Sequence, residues 1–438
     1  WGQTADGAEA GLQDPNQFLG FNQEGDQLAE FFLEDNGMKL QFQLYDGGKV
    51  DRENGQFKDL IVESAVTNIV DFEDAVAIVD AEDMVLALRN YLGLIRGDLQ
   101  ASSSRGALKA INADVRFTGA DGTPKSVKGT SLMSVRNVSL HMYTDMVKVD
   151  GQEISERMLG VLLTTLIATS HDKGSDERVP NSKAGYVYQV TPKLQTSEEA
   201  AEQVRFFEAV EDRLGLSKNT ILLGIMNEEL GMTLQLAESL RAAQSRVFFT
   251  NTGFLDRTGS QIRVQTQAGP VDLRDDLTRS VFNTSYELHN VDISLRAGVH
   301  NQGKIGKGMQ VKNRAMVEMM ENKINHPRSG GNTAWVPAPN PSHLHSMHYH
   351  MIDVDQVQRT MEDSPSPAIS RRDLLTFPVL EPEKVADPKA KETLLLSYAH
   401  SMVAYVEPWV HRGIGCSGVP NFSQIEEMKD RATERIDG

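Results

Sequence analysis

From residue 67 onward, short apolar runs typical of buried strands alternate with longer amphipathic runs typical of helices. Residues 185–190 and 220–226 are two such strand runs, and a helical run follows each of them. Thr196 is expected to cap the first of these helices at its N-terminus, and Gly215 is expected to end it. Strands that alternate with helices in this way predict a parallel sheet with helical crossovers.

Polar side chains follow several of the predicted strands at the point where each strand ends. They are Asp71, Glu73, Arg136, Glu228 and Asp256. Barrel enzymes keep their chemistry at the carboxyl ends of the barrel strands, so this pattern favours an α/β fold of the (β/α)8 TIM-barrel type. A doubly wound open sheet is the competing fold. The G-x-G-x-x-G fingerprint of its dinucleotide-binding members does not follow the first strand, which weakens that alternative.

The composition of the chain indicates which partners and which cellular compartment to expect. The formal net charge is −17, which argues against nucleic acid as the main partner because a phosphate backbone requires a basic surface. Cys416 is the single cysteine, so an intrachain disulfide is excluded and a reducing, cytoplasmic location is expected. The longest nearly apolar stretch, 158–168, is too short to cross a membrane, and no membrane association is expected. Because the chain begins at Trp1, we expect it to be a fragment or a processed form.

Glu228 and Asp256 are the candidate metal ligands. They lie about one βα unit apart, and each comes just after a predicted strand, so their carboxylates could converge on one cation at the barrel mouth. A hard divalent ion that keeps part of its water shell and binds through one or two carboxylates is most like Mg²⁺. The alternative is that both are ordinary solvated loop acids.

Two further features suggest a site for an anion. Gly253 directly follows a strand, where glycine allows successive backbone N–H groups to turn inward and form an anion-binding nest; an ordinary βα turn is the alternative. Arg136 could stabilise an oxyanion or enolate, because its charge is fixed and its donors form a planar fork. It could also be a structural ion-pair partner of Asp71 or Glu73, and both roles can hold together.

Four histidines lie close together in the sequence: His343, His345, His348 and His350. Their spacing suggests a zinc site at first sight, but His343 and His345 share a side only in a strand, and no cysteine accompanies them. We therefore interpret the group as mainly structural.

Eight segments, in the same order, resemble malate synthase of the G type. They are 71–83, 136–138, 224–229, 246–259, 305–309, 332–337, 413–420 and 430–433. The similarity runs from about Gln17 to the end. It implies a (β/α)8 barrel with an inserted α/β domain and a C-terminal helical plug, in a monomeric protein. It also implies that the N-terminal clasp, the first barrel strand and most of the plug lie outside this chain.

The resemblance implies the following division of the chain: 1–66, first part of the insertion; 67–96, barrel; 97–134, second part of the insertion; 135–351, barrel; 352–388, linker; 389–438, start of the helical domain. Within the first of these segments, the alternation in Leu40-Gln-Phe42-Gln-Leu44 itself predicts a hairpin or meander. The chain departs from the family at Ala75, which replaces a serine, and at Leu230 and Gly231, which replace two arginines.

The resemblance further implies condensation of acetyl-CoA with glyoxylate to give malate and CoA. Glu228 and Asp256 would hold Mg²⁺, with Glu73 supporting its water shell. Glyoxylate would contact Arg136, Glu228, Asp256, Trp335 and the amides of Gly253, Phe254 and Leu255. Asp430, an ordinary helix acid by its sequence context alone, would take a proton from the acetyl methyl group. Asp71 would orient Arg136, Lys109 and Pro337 would face CoA, and Cys416 would lie near the CoA channel.

Two other functions remain open from the sequence. One is a magnesium-dependent acyl-CoA lyase resembling the citrate lyase β-subunit, which shares the arginine and the two acids. Such enzymes lack the segments 413–419 and 430–433, which favours malate synthase. The other is a non-catalytic remnant that only binds a ligand, an alternative suggested by the implied loss of a barrel strand and by the changes at Ala75, Leu230 and Gly231.

Overall fold

The structure is a computed structural model that describes most of the chain. The described residues are 2–3, 7–45, 56–73, 78–102, 106–309, 315–336, 339–364, 369–389 and six more between 391 and 403. Pro337, Ala75, Cys416 and Asp430 lie outside them, as does nearly all of the predicted C-terminal helical domain.

The strands in these ranges are short, and most have two to seven residues. In chain order they are β1 (Gly2–Gln3), β2 (Glu9–Ala10), β3 (Phe18–Glu24), β4 (Gln27–Asp35), β5 (Met38–Leu44), β6 (Phe57–Val62), β7 (Thr67–Asp71), β8 (Gln100–Ser102), β9 (Leu108–Ala110), β10 (Val115–Gly119), β11 (Pro124–Val127), β12 (Leu132–Arg136), β13 (Tyr143–Val149), β14 (Gln152–Ser155), β15 (Val187–Thr191), β16 (Ile221–Asn227), β17 (Val247–Thr252), β18 (Lys304–Lys307) and β19 (Thr333–Ala334).

The α-helices in the same ranges are concentrated after residue 80. They are α1 (Ala81–Arg96), α2 (Glu156–His171), α3 (Ser197–Leu214), α4 (Leu230–Leu234), α5 (Leu236–Ala242), α6 (Phe254–Ala268), α7 (Arg274–Arg279), α8 (Val281–Arg296), α9 (Met316–Asn322), α10 (Asn325–Arg328), α11 (Pro339–Met351), α12 (Val354–Asp363) and α13 (Arg371–Leu374). Short 3-10 helices cover Pro15–Gln17 and Pro382–Val385. None of the helices described is long and apolar enough to cross a membrane.

A parallel sheet of seven described strands forms the centre of the molecule, in the order β7-β12-β15-β16-β17-β18-β19. Each strand pairs in parallel with the next sheet strand along the chain, without the reversal of strand order that marks a doubly wound sheet. The sheet curves until its edges nearly meet, since the side-chain oxygens of Thr67 and Thr333 are 3.5 Å apart. The predicted TIM-barrel class is confirmed.

The helices cover the outside of this sheet, as the sequence pattern predicts. Phe207 of α3 and Ile221, Leu223 and Ile225 of β16 are fully buried in the largest apolar cluster. Each such side chain contributes about 1.5–3 kcal/mol of burial free energy. The Thr196 hydroxyl accepts the Glu199 N–H at the start of α3, so the predicted cap is confirmed.

A second, antiparallel sheet has the strand order β11-β10-β3-β4-β5-β6. The hairpins predicted from the alternating pattern are confirmed, because Leu40, Phe42 and Leu44 lie in β5, between β4 and β6. Within the described residues of the two predicted insertion segments, helical structure is limited to one 3-10 turn. Strand β12 starts at Leu132, so the barrel sheet takes in three residues that the sequence division places in the insertion. The domain boundaries remain a prediction.

The tip of the β4–β5 hairpin joins this second sheet to helix α11. Asn36 donates from its side-chain amide to the carbonyl oxygen of Tyr349 at 2.9 Å, and His350 Nδ1 lies 2.9 Å from Asp35 Oδ2. The last carbonyl groups of a helix have no donor within the helix, and the Asn36 side chain provides a donor for one of them. The second sheet is therefore joined to helix α11 by polar contacts at the end of that helix.

A buried ion pair holds the amino ends of the barrel strands. Arg246 donates through Nη1 and Nη2 to the two oxygens of Glu211 at 2.6 and 2.8 Å, and through Nη1 to the carbonyl of Ile221 at 2.9 Å. Burial alone would raise the pKa of Glu211, but hydrogen bonds from Arg246 and from the Ile221 amide lower it overall. The pair therefore joins α3, β16 and the residue that precedes β17.

We expect Glu211→Ala to lower the free energy of unfolding by about 3–5 kcal/mol, because it leaves the Arg246 charge buried without its carboxylate. Urea denaturation followed by circular dichroism measures this. Glu208→Ala is the matched control on the same helix. Its carboxylate is 40% exposed and 3.9 Å from Arg246, so its loss should change stability by less than about 1 kcal/mol. Equal effects of the two variants would contradict this role of Glu211.

Candidate functional site

The polar residues singled out in the sequence come together at the carboxyl ends of the barrel strands. Asp71 ends β7 and Arg136 ends β12. Glu228 follows β16, and Asp256 lies in the first turn of α6, directly after β17. Neighbouring parallel strands end at the same edge of the sheet, so these four side chains share one mouth of the barrel.

Arg136 is buried and surrounded by carboxylates. It donates through Nε and Nη2 to the two oxygens of Asp71 at 2.8 and 2.6 Å, and its Nη1 lies 3.1 Å from Glu73 Oε2. Burial alone would lower the pKa of the guanidinium, but Asp71, Glu73 and Glu228 hold that pKa well above its usual value. The structural ion pair expected for Arg136 is therefore present, and its charge is permanent.

Lys193 is the main site residue that sequence reasoning missed. Its ammonium nitrogen lies 2.8 Å from Asp256 Oδ2, 3.0 Å from Glu228 Oε1 and 3.3 Å from Glu73 Oε1. The signal in the sequence was its position two residues after β15, the same placement that drew attention to the acids. Pro192 before it suggested only the end of a strand.

The backbone of Lys193 also contributes to the site. Its φ is +57°, a left-handed conformation that is uncommon for a residue with a Cβ. This turns the Lys193 N–H onto Glu228 Oε1 at 3.0 Å, the same oxygen that receives the ammonium. Such local strain is a feature of functional sites.

Glu228 is fully buried and approaches the chain at Gly253. A Cβ built on Gly253 would lie 2.7 Å from both Cβ and Oε2 of Glu228, so glycine is required here. Within the described structure, Glu228 Oε2 is buried and has no hydrogen-bond partner. A buried carboxylate oxygen in this condition is costly unless a cation or donor can reach it.

The predicted anion nest is present only in part. The Gly253 N–H donates to the carbonyl of Asn227 at 3.2 Å, so it is already used within the protein. The next two amides, of Phe254 and Leu255, belong to the first turn of α6. N–H groups of a first helical turn have no acceptor within the helix and favour anions. Of the three expected amides, those of Phe254 and Leu255 therefore lie in the first turn of α6, and their role in anion binding stays a prediction.

The residues present fit a divalent cation. The carboxylates of Glu73, Glu228 and Asp256 converge within 3.3 Å of one positively charged nitrogen. Together with Asp71 they surround Arg136 and Lys193, so acidic side chains predominate over basic ones among the described residues of the site. No group of three His, Cys, Asp or Glu side chains in the described ranges has the geometry of a formed metal site. The Lys193 ammonium occupies the point on which the three carboxylates converge.

Two of the other predicted site residues have described positions. Trp335 packs against Arg136, with the guanidinium carbon 5.5 Å from the ring centroid, so it does border the site. Lys109 is exposed on the β8–β9 hairpin, outside both large sheets, and no described contact joins it to the carboxylates. The roles assigned to Pro337, Cys416 and Asp430 fall outside the described residues.

The zinc alternative for the histidines finds no support in the geometry. These residues lie on a helix, α11, which sends them in different directions. His343 is exposed and contacts the Pro339 carbonyl, while His350 pairs with Asp35. His345 and His348 face each other, with their Nδ1 atoms 2.9 Å apart, and burial lowers the pKa of both. A buried, neutral pair of this kind is structural.

Arg257, the residue after Asp256, is also buried, but aromatic rings rather than carboxylates surround its guanidinium. Its guanidinium carbon lies 4.4 Å from the ring centroid of Phe282 and 4.7 Å from that of Tyr286. Burial lowers the pKa of Arg257 to about 10, although Tyr286 and the nearby Glu229 oppose the shift. Cation–π contacts of this kind stabilise a desolvated arginine, and they anchor the start of α6 to α8.

Comparison with known proteins identifies related sequences. A family model described as "Malate synthase, TIM barrel domain" matches residues 132–377. The malate synthase G of Halalkalibacterium halodurans is 38% identical over 432 residues, covering 97% of this chain and 59% of the relative. That of Corynebacterium glutamicum is 37% identical over 435 residues, covering 97% and 58%. The chain thus spans a little under three fifths of the length of these relatives.

One solved structure that aligns with this chain is a Haloferax volcanii malate synthase, described as a pyruvate/acetyl-CoA ternary complex. The identity is 14% and the TM-score 0.46, and the alignment covers 85% of this chain and 80% of that one. A lead(II) complex of the same organism's malate synthase aligns with a TM-score of 0.42 at 14% identity, covering 85% and 79%.

We expect Asp71→Asn to lower the free energy of unfolding by about 2 kcal/mol, because a buried charged hydrogen-bonded pair loses its negative partner while Glu73 remains. Chemical denaturation measures the change. Asp98→Asn is the control, since its ion pair with Arg96 is about half exposed and should contribute less than about 1 kcal/mol. A neutral effect of Asp71→Asn would show that Glu73 alone is sufficient for Arg136.

Proposed function

Because the chain belongs to the malate synthase family, we propose that the whole protein condenses acetyl-CoA with glyoxylate and water to give malate and CoA. The observation that carries the proposal is the convergence of Glu73, Glu228 and Asp256 beside Arg136 at the carboxyl ends of the strands. The proposal concerns the intact protein, since the chain covers 59% of a relative's length.

We further propose that Glu228 and Asp256 hold a divalent cation, with Glu73 beside it. Two observations support this assignment: the carboxylates of Glu228 and Asp256 converge on one nitrogen, and Glu228 Oε2 is buried without a hydrogen-bond partner in the described structure. When bound, such a cation supplies Lewis-acid polarisation of the aldehyde and fixes its orientation. Mg²⁺ is the metal we propose, because oxygen ligands and few protein carboxylates suit a hard ion that retains water.

The chain's own groups then bind and stabilise the substrate. The first-turn N–H groups of Phe254 and Leu255 would donate hydrogen bonds to the glyoxylate carboxylate, helped by the dipole of α6. Arg136 would stabilise the negative charge that develops on oxygen, which is the largest requirement because a thioester methyl is a very weak carbon acid. Its ion pairs with Asp71 and Glu73 keep the guanidinium in one orientation, so little reorganisation is needed during the reaction.

The base in this proposal is Asp430, which would take the proton from the acetyl methyl group. This role rests on the family resemblance of the segment 430–433. A carboxylate becomes an adequate base in a dry site, where desolvation raises its pKa. Trp335 beside Arg136 provides one apolar wall. Contacts of Lys109, Pro337 and Cys416 with CoA, a monomeric state and a cytoplasmic location remain predictions.

The direct test is CoA release by the intact protein supplied with acetyl-CoA, glyoxylate and Mg²⁺. We expect free thiol to appear only when all three are present, and we expect chelation by EDTA to stop it reversibly. Omission of glyoxylate is the control for simple thioester hydrolysis. A folded protein that shows no glyoxylate-dependent release would contradict the proposal. Cleavage of a 2-hydroxyacyl-CoA without condensation would favour the lyase, and magnesium-dependent glyoxylate binding without turnover would favour the remnant.

Two aspartate variants should separate cation binding from proton transfer. Asp430→Asn should leave Mg²⁺ and glyoxylate affinity nearly intact while removing turnover, because only the proton-transfer step is lost. Asp256→Asn should weaken Mg²⁺ first, since a hard cation loses a charged ligand. Calorimetry gives the affinities, and exchange of the acetyl protons with deuterium follows the base. Parental exchange in Asp430→Asn would show that another group is the base; Asp26→Asn, in an exposed turn, is the neutral control.

A further inference from the structure

We propose that Lys193 is a resident counter-ion: its ammonium fills the cation position among Glu73, Glu228 and Asp256, and a divalent cation binds by displacing it. The inference rests on the proposed metal site and adds a residue to it. Its basis is the position of one nitrogen, 2.8–3.3 Å from an oxygen of each of three carboxylates that follow three different barrel strands.

The distances suit an exchange of cations. Ammonium-to-oxygen contacts of this length are ordinary charged hydrogen bonds, whereas Mg²⁺ binds oxygen at about 2.1 Å. A contraction of roughly 1 Å by the Glu228 and Asp256 carboxylates would convert one arrangement into the other, with Glu73 remaining beside the cation. The ammonium and a divalent cation cannot share the position, because like charges so close would repel strongly.

The side chain has a path out of the site. Lys193 is 19% exposed, while Glu228 and Asp256 beside it are 1% and 6% exposed. The aliphatic stem of lysine is flexible and its ammonium is readily hydrated, so the group can move to water at the barrel mouth. By contrast, the Arg136 guanidinium is 4% exposed and held by a bidentate pair, so it remains in place.

The backbone N–H of Lys193 makes a hydrogen bond to Glu228 that remains when the ammonium is displaced. Its N–H donates to Glu228 Oε1 at 3.0 Å whatever the side chain does. Glu228 therefore keeps its orientation when the ammonium leaves. The other oxygen, Oε2, is already buried and without a hydrogen-bond partner in the described structure, ready to accept a cation.

The counter-ion has a clear physical purpose. Several carboxylates buried together repel one another and lose hydration, which destabilises the fold unless a cation lies among them. An ammonium on the chain supplies that charge at any metal concentration. It also weakens metal binding, because the entering cation must break three ion pairs. Lys193 would thus stabilise the cation-free protein and set the threshold for loading.

The test uses Lys193→Met, which removes the charge and keeps the stem, and Lys193→Gly, which removes the side chain and tolerates φ +57°. Isothermal calorimetry measures binding of Mn²⁺ and Mg²⁺ to the cation-free chain. We expect both variants to bind tighter than the parent by about tenfold or more, a size typical of coupled binding events. In thermal denaturation they should melt lower without metal and gain more from Mn²⁺ than the parent does.

Lys307→Met is the matched control. Lys307 ends β18 and is also a buried lysine near the barrel mouth, but its ammonium pairs with Glu287 at 2.9 Å. Its loss reports the general effect of removing one positive charge and should change the metal affinity much less than loss of Lys193. A rise as large as that in Lys193→Met would overturn the proposal, since exchange at one position would then not be the cause.

The remaining outcomes are also decisive. If the parent binds metal and the Lys193 variants bind it equally or more weakly, Lys193 is not a competitor, while the proposed metal site stands. If neither parent nor variants bind a divalent cation, both the exchange and the metal part of the proposed function are wrong. If both variants fail to fold and Mn²⁺ does not rescue them, a divalent cation does not replace the ammonium, and the proposal is again overturned.

Discussion

Four carboxylates lie buried or nearly buried at one mouth of the barrel, and among the described residues Arg136 and Lys193 place positive charge between them. The Asp71 and Glu73 carboxylates face Arg136, and Lys193 lies between Glu73, Glu228 and Asp256. Unpaired charges in such a place would cost several kcal/mol each. The parallel sheet imposes this crowding, since it ends every strand at the same edge. The network of charges and the barrel therefore depend on each other.

The two ends of the barrel use ion pairs in different ways. At the amino ends, Arg246 and Glu211 form a bidentate pair that is closed to water and bonded to the backbone as well. At the carboxyl ends, Lys193 makes single contacts with three acids and keeps one side open to solvent. The first arrangement suits stability, and the second suits exchange of one cation for another.

Two cavities of about 360 and 400 Å³ also lie at the amino ends, away from the carboxylates.

Of the two positions, Leu230 and Gly231, at which the resemblance implies a departure from the family, Gly231 has a physical account. A Cβ on Gly231 would lie 2.4 Å from the carbonyl oxygen of Gln195, so the loop that carries Lys193 packs directly on this glycine. An arginine at 231 would require that loop to move. Burial raises the pKa of Glu229, which Gln195 contacts at 2.7 Å. The structure offers no account of Leu230.

The sequence alone determined the alternation of strands and helices, the cap at Thr196, the antiparallel hairpins and the acids at strand ends. These follow from local periodicity and from residue type, which act within a few positions of the chain. The resemblance to malate synthase then named Arg136, Glu228 and Asp256 as partners in one site. The tertiary structure supplies the contacts and distances within that site, because they depend on how the strands pair and on how the loops after them are placed.

The tertiary structure alone decided the role of Lys193. The three carboxylates that contact Lys193 are distant from it in sequence, and its backbone is left-handed. The local sequence, a lysine after a proline, predicts neither feature. The tertiary structure also decided that the Gly253 N–H donates to the Asn227 carbonyl oxygen. It placed the four histidines on helix α11, where they point in different directions. The local sequence pattern predicts which polar side chains lie at the strand ends, whereas the folded structure determines which of them contact one another.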